Sequence, residues 1–146
     1  MTRVATDQPG QPPVIWEWLH RRTNVPWSSD LRVIGIVRDD GTIAGAVGYN
    51  AWQTSSCFMH VAFDTAHSLN RDLLRAAFEY PFVQSGKDAV YALIDKANQE
   101  CLRLVRKLGY REVYRTVDSV MFEMKADECR WIKEKEHGQE LCTAAA

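Results

Sequence analysis

A continuously apolar strand followed by a capped amphipathic helix is the feature that most constrains this chain. The run Ala89–Ile94 is apolar throughout, which indicates a strand covered on both faces. Asn98 has the short polar side chain that caps a helix start, and Gly109 supplies the left-handed residue that ends one. The apolar residues between them recur at helical spacing: Cys101, Leu102, Leu104, Val105 and Leu108. Because residues 110–117 alternate as a half-buried strand does, the segment predicts a strand–helix–strand unit.

The rest of the chain predicts one domain of further strands and helices. An Asp-Gly turn at residues 39–41 joins two strands, and a third strand completes an antiparallel meander. In chain order we expect a helix at 14–22, strands at 31–38, 42–52 and 57–63, a helix from 70 to 80 that extends toward 83, a strand at 89–94, a helix from 98 to 108, and strands at 110–117 and 120–124.

We place this domain at residues 14–126, and the two ends of the chain differ from it in composition. Residues 1–13 are polar and rich in proline, and predict an extended or loosely ordered lead. Residues 127–146 form a charged tail, in which a short helix is expected from Arg130 to Glu136. An indole buries on the order of 200 Å², so we expect Trp131 to dock on the domain or on a second copy of it.

Composition excludes several classes of protein. A net charge of −1 gives no electrostatic reason to expect nucleic acid or an anionic membrane as partner. No apolar run approaches the roughly 20 residues that span a bilayer, and the first residues lack the apolar core of a signal peptide. The cysteines show no metal-binding spacing, and two of them fall on predicted core faces: Cys57, Cys101, Cys129 and Cys142. We therefore expect a reduced, cytoplasmic protein without a metal.

The strand–helix–strand unit resembles the C-terminal half of the GNAT (GCN5-related N-acetyltransferase) family. The family pattern there is an asparagine that opens a helix, a small residue, a tyrosine, then a lysine, an apolar residue, a glycine and an aromatic residue. The corresponding places hold Asn98, Cys101, Val105, Lys107, Leu108, Gly109 and Tyr110. The order of elements also matches, with the family's first strand weak or missing, and the resemblance spans residues 31–124. Among family members, the chain looks most like the small, divergent ones carried by tailed bacteriophages.

The resemblance implies a fold and a chemistry. The fold is α+β, with a mixed, mostly antiparallel central sheet and helices on both faces. Acetyl-CoA is the implied cosubstrate, and the partner is an unidentified small-molecule or protein amine, with a homodimer as one assembly. Acetyl-CoA would lie in a gap between the parallel strands at 57–63 and 89–94. Its pantetheine arm would pair with Val61, Ala62 and Phe63, and Asn98 would contact the same arm.

The pyrophosphate of acetyl-CoA is expected at the start of the helix that follows, over Ser68, Leu69, Asn70 and Arg71. The family has a basic residue and two glycines in this loop, where this chain has Thr65, Ser68 and Asn70. Glycine lets the backbone approach a phosphate closely, and these side chains hinder that approach. Asn70 is equally well explained as a helix cap, whereas the side chain of Arg71 could contact a phosphate.

The catalytic groups also depart from the family pattern. Val105 replaces the tyrosine that protonates the departing thiolate, and Tyr91, Tyr110 and Tyr114 do not have its spacing. His60 is the candidate base, since its unperturbed pKa suits that role at neutral pH. A partly buried histidine bonded to a neighbour is the other interpretation of His60. The loop residues Asp64 and His67 are weaker candidates.

Two functions follow from this sequence. The first is an acyl-CoA-dependent N-acetyltransferase with weak activity. The second is a non-catalytic protein that uses the GNAT fold for binding or assembly. The loss of the loop glycines and of the tyrosine favours weak or absent catalysis.

Overall fold

The computed structural model describes residues 1–65 and 68–132, and the seven strands in this part form one sheet. The strands are β1 (Thr2–Ala5), β2 (Arg32–Arg38), β3 (Ile43–Asn50), β4 (Ser56–Phe63), β5 (Ala89–Asp95), β6 (Arg111–Arg115) and β7 (Ser119–Lys125). The helices are α1 (Val14–Thr23), α2 (Arg71–Glu79), which a π-helical turn at Tyr80–Gln84 extends, and α3 (Gln99–Leu108). The strand order is β1-β2-β3-β4-β5-β7-β6, and the described pairs are antiparallel except β4 with β5.

Helices cover both faces of the sheet. Helices α2 and α3 lie on one face, where Tyr49 of β3 donates its hydroxyl to the carbonyl of Ala77 at 2.6 Å. Helix α1 lies on the other face, where its Ile15 and Leu19 are buried against β2 and β3. The predicted mixed, mostly antiparallel sheet with helices on both faces is confirmed.

Two glycines let α1 approach the sheet closely. A Cβ at Gly48 would lie 2.7 Å from Cδ2 of Leu19, and one at Gly35 would lie 3.0 Å from the side chain of Ile15. A larger residue at either place would force the helix outward. Glycine in a strand often marks such a close approach, and here the approaching element is α1.

The ends of α3 have the caps that the sequence predicts. The Oδ1 of Asn98 accepts the backbone N–H of Cys101 at 3.1 Å, and Gly109 ends the helix at a φ of 108°. The sequence predicts that the whole apolar stripe between these caps is buried, and this prediction is only partly right. Leu102, Val105 and Leu108 are buried in the core, whereas Cys101 and Leu104 are half-buried at its margin.

The first strand of the fold is present, contrary to expectation. Residues Thr2–Ala5 pair with β2, from Thr2 opposite Arg38 to Ala5 opposite Gly35. This strand has little signal in the sequence because it is short, lies at the sheet edge and has three exposed residues among its four. Asp7 then leads the chain into α1, and its carboxylate accepts the backbone N–H groups of Ile15 and Trp16.

Strand β6 is not the half-buried strand that its alternation predicts. All five of its residues are exposed, because it forms the outer edge of the sheet beside β7. Its pairing shifts register between Glu112 and Tyr114. Glu112 accepts hydrogen bonds from Arg115, which leaves charged groups along this edge. Charge and an irregular register are common protections for an edge strand.

The segment after β7 packs on the domain as far as it is described. Cys129 and Ile132 are fully buried in the core. Trp131 is half-buried, and its indole N–H donates to the carbonyl of Leu108 at 2.9 Å, so its expected docking on the domain is confirmed. Residues 133–146, with Cys142 and most of the expected tail helix, lie outside the described residues, as does His67. No helix in residues 1–65 and 68–132 has the length and apolar character needed to cross a membrane.

Candidate functional site

A gap opens in the middle of the sheet between β4 and β5. The two parallel strands are paired only at their starts, from Ser56 opposite Ala89 to Phe58 opposite Tyr91. Beyond that point β4 stays paired with β3 up to Phe63, and β5 stays paired with β7 up to Asp95. The strands therefore splay at their C-terminal ends, which forms the gap that the family resemblance implies, and the backbone edge of β4 faces an open cleft.

The residues predicted to hold the pantetheine arm lie on this edge. Val61, Ala62 and Phe63 are half-buried and lie beyond Phe58, the last residue of β4 that pairs with β5. Val61 packs on the main core beneath α2 and α3, whereas Ala62 packs on the cluster beneath α1. Their side chains thus face the two covered sides of the sheet, which leaves the main chain of β4 to face the cleft. Whether a ligand pairs with it stays a prediction.

The loop after β4 is closed by its own side chains. Ser68 is buried, and its hydroxyl donates to Oδ1 of Asp64 at 2.5 Å. Arg38 reaches the same group, with 2.6 Å between its Nη2 and Oδ2 of Asp64. The hydrogen bond from Ser68, with further help from Arg38, lowers the pKa of Asp64. Both donors of Ser68 are therefore engaged within the loop, because its backbone N–H also donates to the carbonyl of Thr65 at 3.0 Å.

Asn70 caps α2. Its Oδ1 accepts the backbone N–H of Leu73 at 2.9 Å, which is the cap interpretation from the sequence analysis. Leu69 is half-buried against the core, and Arg71 is exposed. Arg71 also lines a cavity of about 360 Å³ with Arg75, Arg130 and Trp131. The start of α2 thus offers a phosphate an exposed guanidinium and a helix N-terminus.

Asn98 lies at the same edge of the sheet as the start of α2. Both helices follow the C-terminal ends of parallel strands, so their N-termini flank the cleft from the same side. The side chain of Asn98 is exposed, although its oxygen already caps α3. Its predicted contact with the pantetheine arm would use the amide nitrogen.

His60 lies on β4 just beyond its last pair with β5. It stands opposite Gly48, on the face of the sheet that α1 covers. The Nε2 atom of His60 is 2.9 Å from Oδ1 of Asn50. Burial lowers the pKa of His60, which keeps the ring neutral at physiological pH. Both interpretations of His60 are compatible with this geometry, because the ring is bonded to a neighbour and is also neutral beside the cleft.

The three tyrosines considered as proton donors differ in their exposure and position. Tyr110 is buried and donates its hydroxyl to the sulfur of Met59, and burial raises its pKa far above the usual range. Tyr114 is 63% exposed on the edge strand β6. Val105, at the place of the family's tyrosine, is buried in the core.

Tyr91 is the phenol that lies at the cleft. Its ring is 5.8 Å from that of Phe58, at the last pair of β4 and β5. Its hydroxyl donates to Oε2 of Glu123 at 2.8 Å, and Arg111 reaches the other carboxylate oxygen at 3.1 Å. The hydrogen bond to Glu123 raises the pKa of Tyr91, so its proton is held on the phenol. The sequence analysis named Tyr91 but missed Glu123 and Asn50, whose roles depend on register across strands.

A second and larger cavity lies away from this cleft. It measures about 840 Å³ and opens where β1 leaves the edge of β2. Trp27, Val33 and Tyr80 are among its lining residues. None of the predicted site residues lines it, and the splayed strands remain the better candidate site.

No protein-family model and no curated protein matches this sequence. Solved structures do match it in fold. Mutant forms of the spermidine/spermine N-acetyltransferase SpeG from Vibrio cholerae superpose with a TM-score of 0.72 at 12% identity, over 92% of this chain and 98% of that one. PseH, an N-acetyltransferase of Campylobacter jejuni in complex with acetyl coenzyme A, gives 0.62 at 14% identity, over 86% and 99%. At these identities the likeness establishes the fold, which is the GNAT fold.

Proposed function

We propose that this chain is an acyl-CoA-dependent N-acetyltransferase. The observation that carries the proposal is the splay of β4 and β5, which leaves a strand edge in the middle of the sheet without a partner among the described strands. An unpaired edge is the place where an extended, amide-bearing ligand can add like a further strand. The pantetheine arm of acetyl-CoA has this character, and Val61, Ala62 and Phe63 supply the edge.

The phosphate end of acetyl-CoA would lie at the start of α2. The helix N-terminus and the side chain of Arg71 favour an anion there. The side chains of Ser68 and Asn70 are already used within the loop and the cap. We therefore expect a usable but weak phosphate site, with Asn98 contributing from the start of α3.

The reaction would take place between His60 and Tyr91, which share one face of the sheet. The amine nitrogen attacks the thioester carbonyl, so a C–N bond forms and the C–S bond breaks with its electron pair on the sulfur of CoA. His60 takes the proton that the amine loses. Because Val105 cannot donate a proton, the thiolate is protonated from water.

The acceptor amine would approach from the face that carries His60. The neighbour from Vibrio cholerae is named for spermidine and spermine, which makes polyamines the first amines to test. A homodimer stays a prediction for light scattering, and one neighbour is described as dodecameric.

The experiment combines binding with turnover. Calorimetry with acetyl-CoA measures cosubstrate affinity, and release of the CoA thiol in the presence of spermidine or lysine peptides measures transfer. His60→Gln should retain binding and lose most turnover, while Gln53→Ala, an exposed change in the turn before β4, should behave as wild type. Absence of thiol release by the wild type with these amines would refute the proposal, and absence of acetyl-CoA binding as well would favour a non-catalytic binding or assembly role.

A further inference from the structure

Asn50 and His60 are diagonal neighbours on one face of the sheet. In the register of β3 and β4, Asn50 stands opposite Phe58 and Gly48 stands opposite His60. Side chains in such diagonal positions can reach one another across an antiparallel pair. Here they do, with 2.9 Å between Oδ1 of Asn50 and Nε2 of His60. Both residues are half-buried.

We propose that Asn50 is a positioning residue that fixes the tautomer of His60 and leaves Nδ1 as the proton acceptor. An amide oxygen can only accept a hydrogen bond. Nε2 of His60 must therefore be protonated, and its N–H donates to Oδ1 of Asn50. In a neutral imidazole the other nitrogen then holds the lone pair. This inference rests on the proposed function, because it assigns Nδ1 as the atom that takes the proton of the amine.

The backbone beside Asn50 is held independently of His60. Ala51 has a φ of 51°, a left-handed conformation that costs energy for a residue with a side chain. Its N–H donates to Oδ2 of Asp30 at 2.9 Å, and the indole of Trp52 donates to the carbonyl of Asp30 at 2.9 Å. Ser28 in turn donates to Oδ1 of Asp30. Asn50 is thus fixed at the end of β3 by hydrogen bonds of the residues that follow it, and His60 takes part in none of these bonds.

The surroundings of His60 favour a neutral ring with a single lone pair. Burial is the cause of its lowered pKa. The charged or titratable residues on the described elements that pack on or pair with β4 from this face are Glu17, His20, Arg21 and Arg22 of α1 and Tyr91 and Asp95 of β5. Arg22 stacks on Trp18, and Tyr91 is bonded to Glu123. The hydrogen bond that His60 donates to Asn50 therefore decides which nitrogen is protonated.

Nitrogen NMR of the full chain tests the tautomer without any substrate. Long-range spectra of ¹⁵N-labelled histidine distinguish a protonated Nε2 from a protonated Nδ1, and His60→Gln assigns the signal. The wild type should show protonated Nε2 at neutral pH. Asn50→Ala should give a mixture of tautomers, and Gln53→Ala should leave the signal unchanged. A protonated Nδ1 in the wild type, or an unchanged tautomer in Asn50→Ala, would overturn the inference.

Kinetics separate positioning from a merely structural role. Asn50→Ala should lower kcat roughly 10- to 100-fold, because the base loses its fixed orientation. Asn50→Asp keeps an acceptor for Nε2–H, but its charge favours imidazolium, so the acid limb of the pH–kcat profile should move up by about one unit. Above that limb Asn50→Asp should recover near wild-type turnover, whereas Asn50→Ala should not. Equal losses in both variants at every pH would overturn the positioning role.

The two readouts distinguish this inference from the proposed function. A wild type that shows protonated Nε2 but transfers no acetyl group would refute the proposed function and confirm the pairing. A wild type that transfers acetyl groups while Asn50→Ala matches it in kcat and pH profile would keep the proposed function and refute the role of Asn50. Thermal unfolding of each variant identifies losses that come from misfolding, and the isosteric Asn50→Asp supplies the test if Asn50→Ala does not fold.

Discussion

The rings of Phe58 and Tyr91 lie 5.8 Å apart, on the two strands that part immediately beyond them. They close the narrow end of the cleft, where β4 and β5 still share backbone hydrogen bonds. On the same face, the hydroxyl of Tyr91 donates a hydrogen bond to Glu123 of β7, and the imidazole of His60 is hydrogen-bonded to Asn50 of β3. The apex of the gap is thus lined by side chains that are each tied to a neighbouring strand, so their positions are set before any ligand enters.

Loss of the Tyr91 hydroxyl should affect stability in a pH-dependent way. The pKa of Glu123 is lowered, first by the hydrogen bond from Tyr91 and then by Arg111. A carboxyl group whose pKa is lowered by folding stabilises the folded state at any pH above its unfolded pKa, which is about 4.3. This stabilisation is lost as the pH falls from the unfolded pKa through the folded pKa. Tyr91→Phe should therefore cost about 1–2 kcal/mol at pH 7, and the difference from wild type should narrow toward pH 4.

Urea unfolding at several pH values measures this difference. Tyr114→Phe is the matched control, since Tyr114 is 63% exposed on the edge strand. A cost for Tyr91→Phe that stays constant from pH 7 to pH 4 would show that Glu123 does not depend on this hydrogen bond.

The contact between Gly48 and Leu19 should behave as a coupled pair. A Cβ at Gly48 would stand 2.7 Å from Leu19, which is fully buried, so Gly48→Ala should cost about 1–3 kcal/mol by overpacking. Leu19→Ala should cost about 2–5 kcal/mol by leaving a cavity. In the double variant the new methyl enters that cavity, and the combined cost should fall below the sum. Additive costs in denaturant unfolding would mean that α1 does not pack on Gly48.

The anchor of the C-terminal segment can be tested at Trp131. Its indole is half-buried and bonded to the carbonyl of Leu108, and its neighbour Arg130 bonds the carbonyl of Lys107. Trp131→Ala should lower the free energy of unfolding by about 1–3 kcal/mol and speed proteolysis near the C-terminus. Trp27→Ala, at a position that is 62% exposed, should change neither by much. Equal proteolysis of the wild type and Trp131→Ala would contradict the anchoring.

Local signals in the sequence predicted most of the elements. The helix caps Asn98 and Gly109 and the Asp-Gly turn act within a few residues, and the structure has them. Strand β1 was not predicted, because it is short and mostly exposed and its apolar residues show no periodic pattern. The parallel pairing of β4 with β5 came from the family resemblance, because no local pattern specifies which distant strands meet.

The candidate site was less predictable than the fold. His60 could be named because its chemistry and its place on β4 are visible in the sequence. Its partner Asn50 lies ten residues away, and Glu123 lies 32 residues from Tyr91, so both contacts depend on strand register. Alternation gives the face of a side chain, but only register gives its neighbour.

The sequence of the loop after β4 should weaken the binding of acetyl-CoA. Ser68 and Asn70 stand where glycine would allow the closest backbone approach to a phosphate, and Thr65 replaces a basic side chain. The loss of one charge-assisted hydrogen bond, about 1.5–3 kcal/mol, lowers affinity roughly 10- to 100-fold. We therefore expect acetyl-CoA to bind at roughly tens of micromolar or more weakly in calorimetry.

Glycine at these two positions should tighten that binding. Ser68→Gly removes a side chain that is bonded to Asp64, and Asn70→Gly removes the cap of α2 at a cost of a few tenths of a kcal/mol. The double variant should bind acetyl-CoA about 10-fold more tightly while melting at a slightly lower temperature, since one favourable bond of about 1.4 kcal/mol corresponds to that factor. Ser29→Gly, an exposed change beside β2, controls for glycine itself. Sub-micromolar binding by the natural chain would show that the loop already serves the phosphates, because a defective phosphate site could not give that affinity. Unchanged or weaker binding in the double variant would place the phosphates away from residues 68–70.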